Sequence, residues 1–199
     1  MAVPSIKATL FQRTADQIEG LLASGRLSRE TLQERLRPED FHYLGKQLAA
    51  SSWVPVATLA RVAEIAIESE WGDSSEASLR AEGERAAKDI HALGLYKQFE
   101  ATTERWGANA GRIIVTFASV AYNFGRWTYE PGEDPTWARI AVEGGRDLPE
   151  FSRITAEGFI GYMWTVILKA EDVVVTSSRP TPDSIVYEIR SRKPRAGAP

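Results

Sequence analysis

The stretch RWTYEPGEDPTWARIAV, residues 126–142, decides the fold class. Trp127 and Tyr129 alternate with polar neighbours, residues 131–135 are dense in turn formers, and Ala138, Ile140 and Val142 alternate again. Apolar residues at period two on both sides of a Pro/Gly/Asp turn predict a β-hairpin. Downstream, Gly144, Gly145 and Pro149 introduce a long helix over 149–169. Its apolar stripe is Phe151, Ile154, Phe159, Tyr162, Met163, Val166 and Ile167. Three consecutive valines within 172–176 predict a strand covered on both faces. Residues 178–183 read as a proline-rich turn, and Ile185, Tyr187 and Ile189 as the alternate positions of a last strand.

Upstream of the hairpin the period changes from two to between three and four. Phe11, Thr14, Ile18, Leu21 and Leu22 recur at helical spacing, with Gly25 where a C-terminal cap belongs. Ser28 can cap a short helix carrying Leu32 and Leu36, which Pro38 ends. Phe41, Leu44 and Leu48 predict a third helix, and residues 51–55 a break. Pro55 suits the start of the next helix, with Val56, Leu59, Val62, Ala63, Ala66 and Ile67 as its buried stripe. After a polar connection at 73–75, Leu79, Gly83, Ala86, Ile90 and Leu93 mark a fifth helix that Gly94 can stop. Trp106, Ala110, Ile113, Phe117, Val120 and Phe124 fall three or four apart. A strand of about 19 residues would be unusual, so this segment reads as a helix ending at Gly125.

The expected architecture is α+β: an N-terminal helical cap over a small, four-stranded, mainly antiparallel sheet with one long central helix. The expected organisation is one cooperative domain over residues 1–193, helical over 1–125 and ββαββ over 126–191, with 194–199 a flexible tail.

Composition excludes several functions. The 199 residues contain no cysteine, which removes disulfides, thiolate metal sites and cysteine nucleophiles. A net charge of −3 predicts no general attraction to nucleic acid. The basic run Arg190, Arg192, Lys193 and Arg195 reads as a solvated tail. No apolar run reaches the ~18 residues of a membrane span, and the N-terminus has no signal-peptide pattern, so the expected location is cytoplasmic.

Several short motifs carry a resemblance that covers most of the chain. They are 51–55 (SSWVP), 122–127 (YNFGRW), 147–151 (DLPEF) and 158–162 (GFIGY). The chain resembles a paralogous family of uncharacterised proteins abundant in myxobacteria. More distantly it is similar to 4-vinyl reductase-like domains and haem nitric-oxide/oxygen-binding (H-NOX-like) domains. The resemblance implies a helical cap over an α+β core, often with a cavity between sheet and helices, and a role as a small-molecule sensor, lipid-accommodating subunit or adaptor. The vinyl-reductase-like branch often carries cysteines near the final strands, and here residues 177–184 have none. The haem branch needs a proximal histidine and a Tyr-x-Ser-x-Arg triplet. Here His91 and Tyr122-x-Phe124-x-Arg126 stand nearby in sequence, with Phe124 in the place of the serine.

Read on their own, the titratable residues form no recognisable machinery. Two histidines, His42 and His91, cannot build a multi-histidine metal site. There is no Gly-x-Ser-x-Gly elbow, and Gly107-x-x-x-Gly111-Arg112 lacks the ending of a phosphate loop. An enzyme with an unrecognised pair of convergent acids stays open as an alternative.

The crowd of aromatic residues between Trp106 and Trp164 is the more informative feature. Its long helix has rings on more than one side. The N-terminal helices, a second copy of the chain or an apolar ligand must cover the second side. With the role that the resemblance implies and the lack of catalytic residues, the expectation is a non-enzymatic signalling or adaptor module without a cofactor, which senses a hydrophobic small molecule or docks a protein partner. Phe117, Tyr122, Phe124 and Tyr162 are the expected lining of any cavity, with Arg126 as an anchor at its mouth. Trp164 is the expected test of a docking surface. A haem-binding gas sensor using His91, Tyr122 and Arg126 is the alternative.

Overall fold

A computed structural model describes residues 2–92, 110–134 and 136–192. The expected α+β architecture is present, with six α-helices and two antiparallel sheets among the described residues. The expectations at Leu93, Gly94, Trp106 and the 194–199 tail fall outside them.

The helical half is built from amphipathic stripes. Helix α1 (Ala8–Ala23) buries Ala8, Phe11, Ala15, Ile18 and Leu21. It ends as the glycine predicts: Gly25 takes φ 71°, and the N–H groups of Gly25 and Arg26 close back on the carbonyls of Leu22 and Leu21. Helix α2 (Arg29–Arg35) is capped by Ser28, whose hydroxyl accepts from the Thr31 N–H. Helix α3 (Val56–Trp71) buries the whole predicted stripe. Helix α4 (Glu76–Ala92) follows, and α5 (Ala110–Ala121) spans the middle of the predicted sixth helix, so Phe124 lies beyond its end.

Two expectations here are corrected. Phe41, Leu44 and Leu48 do not form a helix; a single 3-10 turn covers Asp40–Tyr43. Asp40 displaces the helix because its carboxylate is pulled out of the turn. Arg61 of α3 holds it with two hydrogen bonds of 2.6 and 2.7 Å, and Thr58 adds a third at 2.7 Å. The second correction is that the break at 51–55 contains strand β2 (Trp53–Pro55), paired antiparallel with β1 (Ser5–Lys7). This ribbon replaces the missing side-chain cap of α3, since the Val56 N–H donates to the Pro4 carbonyl. It also bridges to Tyr122, and Asn123 bonds both the N–H and the carbonyl of Ser5.

The ββαββ half follows its predicted order: β3 (Arg126–Pro131), β4 (Trp137–Glu143), α6 (Glu150–Leu168), β5 (Glu171–Thr181) and β6 (Ser184–Arg192). The sheet order is β3-β4-β6-β5, antiparallel throughout. Ala138, Ile140, Val142, Ile185, Tyr187 and Ile189 face inward and are buried. Strand β5 is not covered on both faces. It lies at the sheet edge, and Val174 is 58% exposed between half-buried Val173 and Val175. It also runs through most of the predicted turn, leaving Pro182 and Asp183 to reverse the chain. Arg190 and Arg192 belong to β6 rather than to a tail.

Helices α4 and α6 cover one another's faces at backbone contact. A Cβ on Gly83 would lie 1.8 Å from the Thr155 carbonyl oxygen, and one on Gly158 would lie 1.9 Å from that of Arg80. Only glycine permits this approach. The second side of the long helix is thus covered by α4 at these glycines and by α5 where Phe117 stacks on Phe159 with centroids 5.8 Å apart. Trp164 is 3% exposed and belongs to the core, which removes it as a docking surface.

Candidate functional site

The described residues form two packed cores. One lies among the β1–β2 ribbon and helices α1 to α3, the other between the sheet, α5 and α6. Leu10, Tyr122 and Phe124 pack against both. Between the cores is a cavity of about 180 Å³. Leu10 of α1, Leu59, Ala63, Ala66 and Ile67 of α3, and Ile90 of α4 line it from the helical half. Ile114, Phe117 and Ala118 of α5, Trp127 of β3, and Phe159 and Ile160 of α6 line it from the other.

Its polar lining comes from three helices. Arg13, Thr14 and Gln17 project from α1, Glu82 from α4, and Ser152 and Thr155 from α6. Arg13 and Glu82 form a 2.7 Å ion pair. Asp89 adds a second partner to Arg13 at 2.8 Å, and Arg85 adds one to Glu82 at 2.6 Å. Burial disfavours the charged Arg13, but these carboxylates outweigh it and hold its pKa above the ordinary value. Gln17 Nε2 and Thr155 Oγ1 are both buried on residues that line the cavity, and neither has a hydrogen-bond partner among the described residues.

Of the residues predicted for the site, two line the cavity: Phe117 and Tyr122. Tyr122 lies in a column of rings. It stacks on Trp127 at 5.8 Å, and Trp127 stacks on Tyr187 at 6.2 Å. Burial pushes its hydroxyl up to about 12, so it stays neutral. Phe124 packs edge-on against Tyr122 but is not part of the lining. Arg126 stands outside on the solvent face of β3. Its side chain is 77% exposed, and its partner is Glu143 at 3.9 Å. Tyr162 is also away from the lining, with its hydroxyl 3.2 Å from His91 Nδ1 on the α4–α6 seam. Gln17, Thr155, Ala63 and Leu10 were not legible as site residues, because nothing in a helical stripe distinguishes a wall from a filled core.

Among the described residues no three His, Asp or Glu side chains are grouped to hold a metal ion. The chemistry of haem fits no better. His91 lies outside the cavity lining, where its helix presents Ile90 instead, and His42 is exposed on the 3-10 turn. Arg126 faces solvent, so the triplet that would grip propionates is not assembled. Pockets for drug-sized ligands run about 300–1,000 Å³. Haem is no smaller than such ligands, and this cavity measures about 180 Å³.

No protein-family model matches the chain, and no curated protein matches its sequence. Solved structures do match its fold. An Fe(II) unliganded H-NOX protein from K. algicida superposes with a TM-score of 0.62 at 8% identity, covering 97% of this chain and 100% of that one. A mutant of the same protein gives 0.63 at 10% identity, covering 94% and 97%. A mutant H-NOX from T. tengcongensis gives 0.60 at 10% identity, covering 96% and 100%. The chain therefore has an H-NOX-like α+β fold, and at these identities the likeness concerns the fold alone.

Proposed function

We propose that this protein is a non-enzymatic ligand-sensing module that binds one small apolar molecule between its helical half and its sheet. The observation that carries the reading is the cavity of about 180 Å³, lined by Leu, Ile, Ala and aromatic side chains from both halves. Apolar cavities of similar size, about 150 Å³, stay dry and take up benzene or xenon. An occupant touching α1 and α3 on one side and α5, α6 and β3 on the other would favour one arrangement of the two halves. That is the requirement for passing a signal to a partner. The H-NOX-like fold agrees with a sensor, as does the resemblance to the 4-vinyl reductase-like domains. In this reading the chain acts as one cooperative domain in the cytoplasm and uses no haem. Among the described residues, no helix is long and apolar enough to cross a membrane.

Native mass spectrometry of the freshly purified protein, paired with thermal unfolding in benzene or indole, tests the reading. The expected result is a retained small mass or a rise in Tm with either probe, by mass action on the folded state. Ala118→Phe, which places a ring into the cavity from α5, should abolish the response. A bare chain indifferent to both probes would refute the proposal. So would a retained haem with Soret absorbance that His91→Ala removes.

A further inference from the structure

The cavity wall carries a polar signature that an apolar filling does not satisfy. Gln17 Nε2 and Thr155 Oγ1 are both buried, both without a partner among the described residues, and both on residues that line the cavity. Neighbours of the same types are satisfied. Gln12, on the same helix as Gln17, donates to Asp16 at 2.8 Å and accepts from the Leu48 N–H at 2.9 Å. Thr165, on the same helix as Thr155, donates to the Gly161 carbonyl four residues back at 3.0 Å. Thr155 makes no such bond. A buried donor without an acceptor is costly, so such groups normally find a protein, water or ligand partner.

The charges on the same wall point to a neutral occupant. Arg13 is met by Glu82 and Asp89, and Glu82 by Arg13 and Arg85. Neither ion calls for a counter-ion from a ligand. A chain of contacts links the polar groups. Gln17 follows Arg13 by one turn of α1, Arg13 reaches Glu82, and Gly83 beside Glu82 abuts the Thr155 carbonyl. Apart from Thr14, Ser152 and the ring of Tyr122, the rest of the lining, from Ile6 and Ala63 to Ile114 and Phe117, is apolar.

We infer that the ligand is an uncharged, single-ring or short-chain molecule of about eight heavy atoms with one oxygen acceptor, held by Gln17 Nε2 and Thr155 Oγ1. The size follows from the cavity volume, the neutral charge from the saturated ion pairs, and the oxygen from the two unpaired donors. The inference rests on the small-molecule reading of the cavity and adds the chemical class.

The test compares benzyl alcohol with ethylbenzene, which share a shape and differ by one hydroxyl, by calorimetric or Tm titration. Their affinity ratio is measured in the native chain and in the double variant Gln17→Leu, Thr155→Val. Transfer from water cancels between the two proteins, so the change in ratio reports the polar contacts alone. The expected result is about a tenfold or larger loss for benzyl alcohol with ethylbenzene unchanged or tighter. Thr155→Ser, which keeps the hydroxyl, should retain the native ratio. If the double variant does not fold, Thr155→Val against Thr155→Ser gives the same comparison with one contact.

An unchanged ratio with both probes bound would overturn the inference, assigning the two donors to trapped water, and would leave the cavity reading standing. Benzoate binding more tightly than benzyl alcohol would overturn the neutral charge. Failure of both probes in the folded native chain would overturn this inference and the cavity reading together.

Discussion

The helical half and the ββαββ half reach tight packing by different means. The helical core is chiefly aliphatic, with Ile18, Val54, Val56, Val62 and Ile65 fully buried and Phe11 its main ring. Stripes of branched side chains interlock at several crossing angles, so helices can settle against one another. The second core is set by strand register and by rings: the Tyr122–Trp127–Tyr187 column, and Phe117 stacked on Phe159. Strand pairing leaves little freedom of this kind, because a one-residue slip turns every side chain to the other face. The space and two of the unpaired polar atoms lie where the two halves meet. Close by, α4 and α6 meet backbone to backbone at the glycine crossing.

That crossing is where the comparison breaks most easily. Gly83→Val should cost more than about 4 kcal/mol, because its new side chain meets the backbone at Thr155, which cannot move aside as a side chain can. Urea unfolding should show the loss, and a variant of near-native stability would show that the helices do not approach so closely.

The next effect is confined to the helical half. Arg61→Leu leaves Asp40, fully buried, without its cation, and should cost about 3–5 kcal/mol. Burial raises the Asp40 pKa, but hydrogen bonds from Arg61, Thr58 and the Arg37 N–H outweigh it and hold the carboxyl below its usual value. A depressed folded-state value makes this stability fully present above the unfolded pKa of about 3.9. It is lost as pH falls through the folded value. Denaturant midpoints should therefore drop below about pH 4 in the native chain, and Arg61→Leu should flatten that limb. An unchanged acid limb would detach Asp40 from the effect.

The smallest effect belongs to the sheet's outer face. Arg126→Ala should change stability by less than about 0.5 kcal/mol and leave probe binding untouched, since its pair with Glu143 is exposed. A lost probe response would return Arg126 to the site.

Most of the fold was legible because its signals are local and repeated. The α3 stripe, the Ser28 cap, the Gly25 terminus and the 126–142 hairpin each depend on spacing within one segment. The errors arose where a distant partner overruled the segment. Residues 41–48 have helical spacing, yet only a 3-10 turn over Asp40–Tyr43 forms there, beginning at the Asp40 that Arg61 clips to α3. Residues 53–55 are too few to announce a strand and become one because residues 5–7 lie beside them. Val173 to Val175 read as doubly covered, but an edge position exposes the middle one.

The site divided in the same way. Phe117 and Tyr122 could be chosen from the aromatic pattern, and both face the cavity. Phe124, Arg126, Tyr162 and His91 carried comparable signals in the sequence and lie elsewhere: Phe124 in the turn after α5, Arg126 on the outer face of β3, and His91 and Tyr162 against each other on the α4–α6 seam. By itself the sequence determined the class of fold, the order of the described elements from Val56 onward and the absence of cysteine chemistry, since these follow from residue type and period. Only the tertiary structure decided that a cavity exists and that Gln17 and Thr155 share its wall. Apolar side chains make the same pattern whether a core is filled or hollow, and the space between two halves belongs to neither segment's code.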